Sequence, residues 1–162
     1  MYSDSTTGEI LYGFKQNEEP KIKAKYLNSY TDTLHKMAIV QDRQKGWIGI
    51  NKNDSIILFP YIYDNGPDYL SEGLFRFVED DKMGFANADG EKIIPAHFDF
   101  LTSFKDGIAK YYIGGELIDE NGKSRNQIIK EQGEGGLMDK HWTWGGNITK
   151  SGYLDKMGNQ IK

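Results

Sequence analysis

Cysteine is absent from the 162-residue chain, which excludes disulfides, thiolate nucleophiles and cysteine-ligated zinc. Histidine is scarce as well: His35, His97 and His141 are the three present, and none stands at the spacing of a two-histidine helical zinc site. No metal and no cofactor is expected. Lysine and arginine number 20 against 24 acidic residues, a net charge of -4 with no concentrated basic patch, so nucleic-acid binding by phosphate neutralisation is not expected. Apolar residues never run long enough to span a bilayer, and no membrane partner is expected. The first residues lack a basic patch followed by an apolar stretch, which points to a cytoplasmic location, although a processed exported form would read the same way. Phosphate-loop chemistry is missing too, because Gly133-Glu134-Gly135-Gly136 is not followed by a lysine-serine or lysine-threonine pair.

What the chain has in quantity is glycine, nineteen residues spread along its length, together with 13% aromatics. Both recur in order. The run Lys82 to Pro95, with Gly84, Phe85, Asn87, Asp89-Gly90 and Ile93-Ile94, continues through Phe98-Asp99 and Phe104 to Asp106-Gly107-Ile108. Some 35 residues upstream stand Trp47, Gly49, Asn51, Ile56-Ile57, Pro60, Tyr63-Asp64 and Glu72-Gly73-Leu74 in the same order. Gly115 to Lys123 copies the first half of the unit, and Gly152 to Ile161 copies it again, with Asp155 standing 36 residues after Asp119. Thr7-Gly8-Glu9-Ile10-Leu11 reads as a degenerate opening. The chain is therefore expected to be one domain over 1–162. It divides into a degenerate unit over 1–36 and units over about 37–74, 75–108 and 109–162, the last interrupted by an irregular insert over 124–147.

Asp89-Gly90 and Asn121-Gly122 are dipeptides that tolerate positive φ at both central turn positions, so each is expected to close a tight hairpin. In the strand after Gly73, alternation places Leu74, Arg76 and Val78 on one side and Phe75 and Phe77 on the other. Both faces carry apolar groups. A lone hairpin is marginal in water, so the units must stack to bury them. The expected fold is all-β: tandem antiparallel β-hairpin repeats stacked into a single array, with few short helical turns.

These residues carry a family resemblance. Trp-Gly-aromatic-hydrophobic-Asp, a glycine three residues on, Ile-Ile-Pro, aromatic-Asp and a closing Phe-x-x-Gly-Leu resembles the WG repeat, found in many bacterial proteins of mostly unassigned role. Gly84 to Pro95 and Phe98-Asp99 carry it best; the namesake tryptophan survives as Trp47, with Met83 and Gly114 in its place in later copies. The resemblance implies a β-rich repeat scaffold and no reaction.

Between Ser124 and Asn147 the period breaks, and the break contains His141-Trp142-Thr143-Trp144. In an extended strand Trp142 and Trp144 point to the same face, a platform on which a sugar ring, a peptide or a protein could stack; the competing reading is that they cap the core. His141, Trp142 and Trp144 are the candidate ligand-binding residues, and no catalytic residue is assigned. Glu79-Asp80-Asp81 reads as a hydrated hairpin tip, and no serine stands beside a base. The expected function is a non-catalytic interaction module binding a protein, a bacterial inhibitor or immunity protein being one such form. Glycan or cell-wall binding through exposed aromatics is the alternative, and a carboxylate hydrolase ranks below both.

Overall fold

The computed structural model describes residues 1–161. The chain builds four successive three-stranded antiparallel units. Unit one holds β1 (Tyr2–Asp4), β2 (Leu11–Gln16) and β3 (Glu19–Tyr26), followed by the short β4 (Asn28–Ser29). Unit two holds β5 (Met37–Asp42), β6 (Gly46–Asn51) and β7 (Ile56–Pro60), followed by a small hairpin of β8 (Ile62–Tyr63) and β9 (Gly66–Pro67). Unit three holds β10 (Leu74–Glu79), β11 (Lys82–Asn87) and β12 (Lys92–Phe98), followed by β13 (Phe100–Leu101). Unit four is formed by β14 (Ile108–Ile118), β15 (Thr143–Asp155) and β16 (Gln160–Ile161), with the helix α1 (Arg125–Gln132) between the two long strands. The fold is all-β, as expected.

Each unit is joined to the next by the end of its third strand or the short strand that follows. β4 pairs with β5, β7 with β10, and β13 with β14. The interior lies between units rather than within them. Phe14, Ile22 and Tyr26 of unit one meet Ala38, Val40, Ile48 and Ile50 of unit two. Met37, Ile39 and Leu58 of unit two meet Phe75, Phe77 and Ala86 of unit three. Leu74, Phe85 and Ile94 of unit three meet Ala109, Tyr111 and Leu154 of unit four. The alternation of β10 explains the sharing: Leu74 faces forward while Phe75 and Phe77 face back. A unit removed from this array would expose half of two cores.

One turn recurs four times. The side-chain oxygens of Asn51, Asn87, Asp119 and Asp155 each accept backbone N–H groups two and four residues on, and the backbone closes around them in the same pattern. At these turns the expectation of two positive-φ residues fails. Gly90, Gly122 and Gly158 have positive φ, at 82°, 76° and 84°, but Asp89 and Asn121 do not, because the Asx side chain already shapes the first half of the turn. The two-residue turns with both residues left-handed lie elsewhere, at Asn17-Glu18, Asp64-Asn65, Glu72-Gly73, Asp80-Asp81 and Asp106-Gly107.

Aligning the units on this turn corrects the sequence register by one residue. Gly49↔Leu58 in unit two corresponds to Phe85↔Ile94 in unit three, an offset of 36, so Ile48 rather than Gly49 is the counterpart of Gly84. The first unit is also reassigned. A Cβ on Gly84 would meet the Phe77 ring and the Ala96 nitrogen at 2.8 Å, and one on Gly13 would meet the Ala24 nitrogen at 2.7 Å, each where the third strand crosses with a register shift. Tyr12-Gly13-Phe14, not Thr7-Gly8, is therefore the motif of unit one. The interruption in unit four is wider than 124–147, because β14 and β15 stay paired through Gly114↔Ile148 to Ile118↔Thr143 beyond the unit's own strands. Asn121-Gly122 does close a tight turn, bridged antiparallel at Ile118↔Ser124, but the chain then enters α1, whose N-terminus is capped by Ser124 and Gln127, instead of a second long strand.

Candidate functional site

Against the regular array, departures stand out, and the junction between units two and three holds the compact one. At three junctions the backbone N–H of a linker residue reaches a carbonyl of the next unit's first strand: Tyr30 to Ile39, Tyr61 to Arg76, Thr102 to Lys110. The N–H of that same strand residue is accepted by a side-chain oxygen eight residues upstream, from Thr31, Asp68 and Thr102 respectively. In the middle junction the acceptor is separated from Tyr61 by residues 62–67, the β8–β9 hairpin, and is a carboxylate instead of a hydroxyl.

That carboxylate is buried, and so is its partner, at 2% and 4% relative exposure for Asp68 and Arg76. The Arg76 guanidinium donates from Nε to Asp68 Oδ2 at 2.9 Å and from Nη2 to Oδ1 at 2.6 Å, while Nη1 donates to the Leu101 carbonyl at 3.0 Å. Tyr61 and Tyr63 cover the cation, with ring centroids 4.7 and 5.7 Å from it. Burial pushes the Tyr61 hydroxyl pKa up. The ion pair thus pins the inserted hairpin to the core.

Around this insertion the surface is apolar. Phe59, Ile62, Tyr63, Tyr69 and Leu70 are each 45–52% exposed. Tyr63 and Tyr69 pack edge to face at 5.9 Å. Two open cavities flank Phe59 and share it with Val78. One of about 590 Å³ is lined by Trp47, Pro60, Tyr61, Ile62, Asn65 and Lys45 among others. The other, of about 510 Å³, is lined by Ile56, Ile57, Phe77, Lys92 and the Glu79-Asp80-Asp81 tip. The surface here is concave and largely apolar, with Lys45 lining one cavity and the Glu79-Asp80-Asp81 tip lining the other.

The residues singled out from sequence sit in the other departure, at the far end of the β14–β15 ribbon. His141 is exposed, and Trp142 is half-buried just before β15. Trp144 lies within β15; its ring stacks on Phe100 at 4.9 Å and 7°, and its Nε1 donates to the Gly114 carbonyl at 3.1 Å. The ring partner of Trp144 is Phe100, from a strand of the preceding junction. His35 and His97 are exposed and distant in the chain from His141, and among the described residues no three histidine, aspartate or glutamate side chains gather at one point.

Three of the acidic side chains that recur with the repeat, Asp99, Asp119 and Asp155, are held by turns or ion pairs. Hydrogen bonds from the Lys123 and Asn121 backbone, with Lys140 beside it, hold the Asp119 pKa below the usual carboxylate range. Asp155 is lowered by the Asn159 side-chain amide and backbone. Asp99 is lowered by its ion pair with Lys82 and the Gly114 N–H. Asp64, matched to Asp99 by sequence spacing, is no counterpart of it: Asp64 is the first left-handed residue of the β8–β9 turn, at φ 49°.

Residues 83–116 match the family model of the WG containing repeat. The matched stretch runs from β11 through β13 into β14, so a WG containing repeat is present there. No curated protein and no solved structure matches the chain. No helix of the described residues is long and apolar enough to cross a membrane.

Sequence reasoning missed Asp68, Arg76, Phe59 and Ile62. A signal was available: Asp64-Asn65-Gly66 between aromatic and apolar residues marks a short hairpin.

Proposed function

We propose that the protein is a non-catalytic interaction module that docks a protein partner at the junction of units two and three. One observation carries the reading: exposed Phe59 and Ile62 line one open cavity at the β8–β9 insertion, whose exposed Tyr63 packs on Tyr69. A repeat scaffold that holds a rigid, concave apolar surface without a matched set of reactive groups is suited to binding another macromolecule. Asp99, Asp119 and Asp155 serve the scaffold, since backbone N–H groups hold all three and lysines pair with Asp99 and Asp119. An inhibitor or immunity protein is one form such a module takes.

A photo-crosslinking amino acid at position 62, compared with one at Tyr153 on unit four, tests the reading in the native cell. Position 62 is expected to yield a discrete protein adduct that disappears on Phe59→Asp; adducts from 153 alone, or none from 62, would refute the site. Glycan recognition has one observation in its favour, the half-buried Trp142 beside exposed His141. It requires Trp142→Ala to abolish retention on a polysaccharide column with unchanged melting.

A further inference from the structure

The two cavities beside Phe59 share Phe59 and Val78 as lining, and the charged residues that line them differ in sign. Asp80 and Asp81 line one, held at the hairpin tip by left-handed backbone at φ 50° and 59°. Neither is in an ion pair among the described residues, whereas the neighbouring Glu79 is neutralised by Lys92 and Asp99 by Lys82. Lys45 lines the other, also without an ion pair among the described residues. Apolar side chains also line them: Trp47, Phe59, Pro60, Ile62, Val78 and Ile57. The backbone is open as well. β7 meets β10 only through Pro60↔Phe77 and Phe59↔Val78, so beyond the hairpin tip no strand lies against Ile56–Leu58 on that side among the described residues.

Resting on the docking reading above, we infer that the two cavities act as one groove that receives an extended segment of the partner, apolar in its centre and cationic at the end that meets Asp80 and Asp81. Main-chain bonding along the β7 edge supplies sequence-independent affinity, Phe59 and its neighbours take the apolar side chains, and the two free carboxylates select a lysine or arginine and fix the polarity of the segment. Uniform negative charge would repel nothing apolar; the asymmetry from Asp80-Asp81 to Lys45 makes the choice directional.

Two synthetic peptides serve as probes, each of alternating leucine and valine, one ending in two lysines and one in two glutamates. Backbone amide shifts of the full chain are followed during titration. The lysine peptide is expected to move the amides of Ile57, Phe59, Val78, Asp80 and Asp81, and to bind roughly fivefold more tightly than the glutamate peptide, the scale of two exposed charge pairs. Asp80→Asn/Asp81→Asn should abolish that preference with little change in melting, because both side chains are solvated and asparagine also tolerates the left-handed backbone of this turn. Equal binding of the two peptides at these amides overturns the charge selection and leaves the docking face standing. Shifts that appear on raising the protein concentration without peptide mean that a second copy fills the groove, and no shift with either peptide means that it takes no extended segment; both overturn the inference. The crosslink from position 62 decides the docking face independently.

Discussion

The first and second junctions of the array make the same two hydrogen bonds, one with the hydroxyl of Thr31 and the other with the buried carboxylate of Asp68. The comparison shows that the scaffold asks for an acceptor at this position and is indifferent to charge only while charge is absent. Once the acceptor is ionised inside the core it must be matched, and Arg76 matches it from the position that Ile39 and Lys110 hold in the other units. Arg76 in turn offers a flat cation on which Tyr61 and Tyr63 rest. A change that is small at the level of one hydrogen bond thereby fastens a hairpin and its exposed apolar residues to the array.

The largest expected effect breaks the pair. Arg76→Met leaves the Asp68 carboxylate buried and unmatched and is expected to destabilise by about 3–5 kcal/mol in urea unfolding. Asp68→Thr/Arg76→Ile, which installs the pair used at Thr31 and Ile39, should recover to within ~1–2 kcal/mol of the parent. A double variant as unstable as Arg76→Met would show that the junctions are not equivalent. Thr31→Val, which leaves the Ile39 N–H without its acceptor, is expected to lower stability by about 1–2 kcal/mol in the same assay; no change would mean that the bond is dispensable.

Neutral against charged acceptors recur at the four Asx turns, Asn51 and Asn87 against Asp119 and Asp155. The folded-state pKa values of Asp119 and Asp155 are lowered, so their contribution is present above the unfolded carboxylate value near ~4 and is lost as pH falls through the lower folded values. The urea midpoint should therefore be near constant above about pH 5 and fall as the pH is lowered below about 4. Asp119→Asn/Asp155→Asn should reduce that fall, and an undiminished acid sensitivity would assign it to other carboxylates such as Asp99.

The parts of the fold that were readable from sequence are those fixed by short-range physics. Glycine after an Asx residue marked the recurring turn, and the alternation of Leu74 against Phe75 and Phe77 anticipated that one strand would serve two cores. Register was harder. Gly49 imitates Gly84 although Ile48 occupies the equivalent place, and the difference is set by pairing across the sheet rather than by local preference. Tyr63-Asp64 imitates Phe98-Asp99, which hid the hairpin, and Gly115 to Lys123 imitates a unit opening, which hid the true length of the second interruption. The proposed docking face was not legible because β7, the hairpin and the β10–β11 tip come together only after the units stack. Trp142 and Trp144 drew attention by residue type; the face around Phe59 is defined by exposure, which a sequence does not display.

The most direct test of scaffold and insertion as separable parts is to excise residues 62–67 while installing Asp68→Thr and Arg76→Ile. Tyr61 would then be followed at once by a threonine eight residues before its strand partner, as Tyr30 is by Thr31. The account predicts cooperative unfolding with a β-type circular dichroism spectrum, and loss of the partner crosslinked from a photoreactive residue at position 59. An excised chain that fails to fold, or one that folds and still captures the partner, would contradict it.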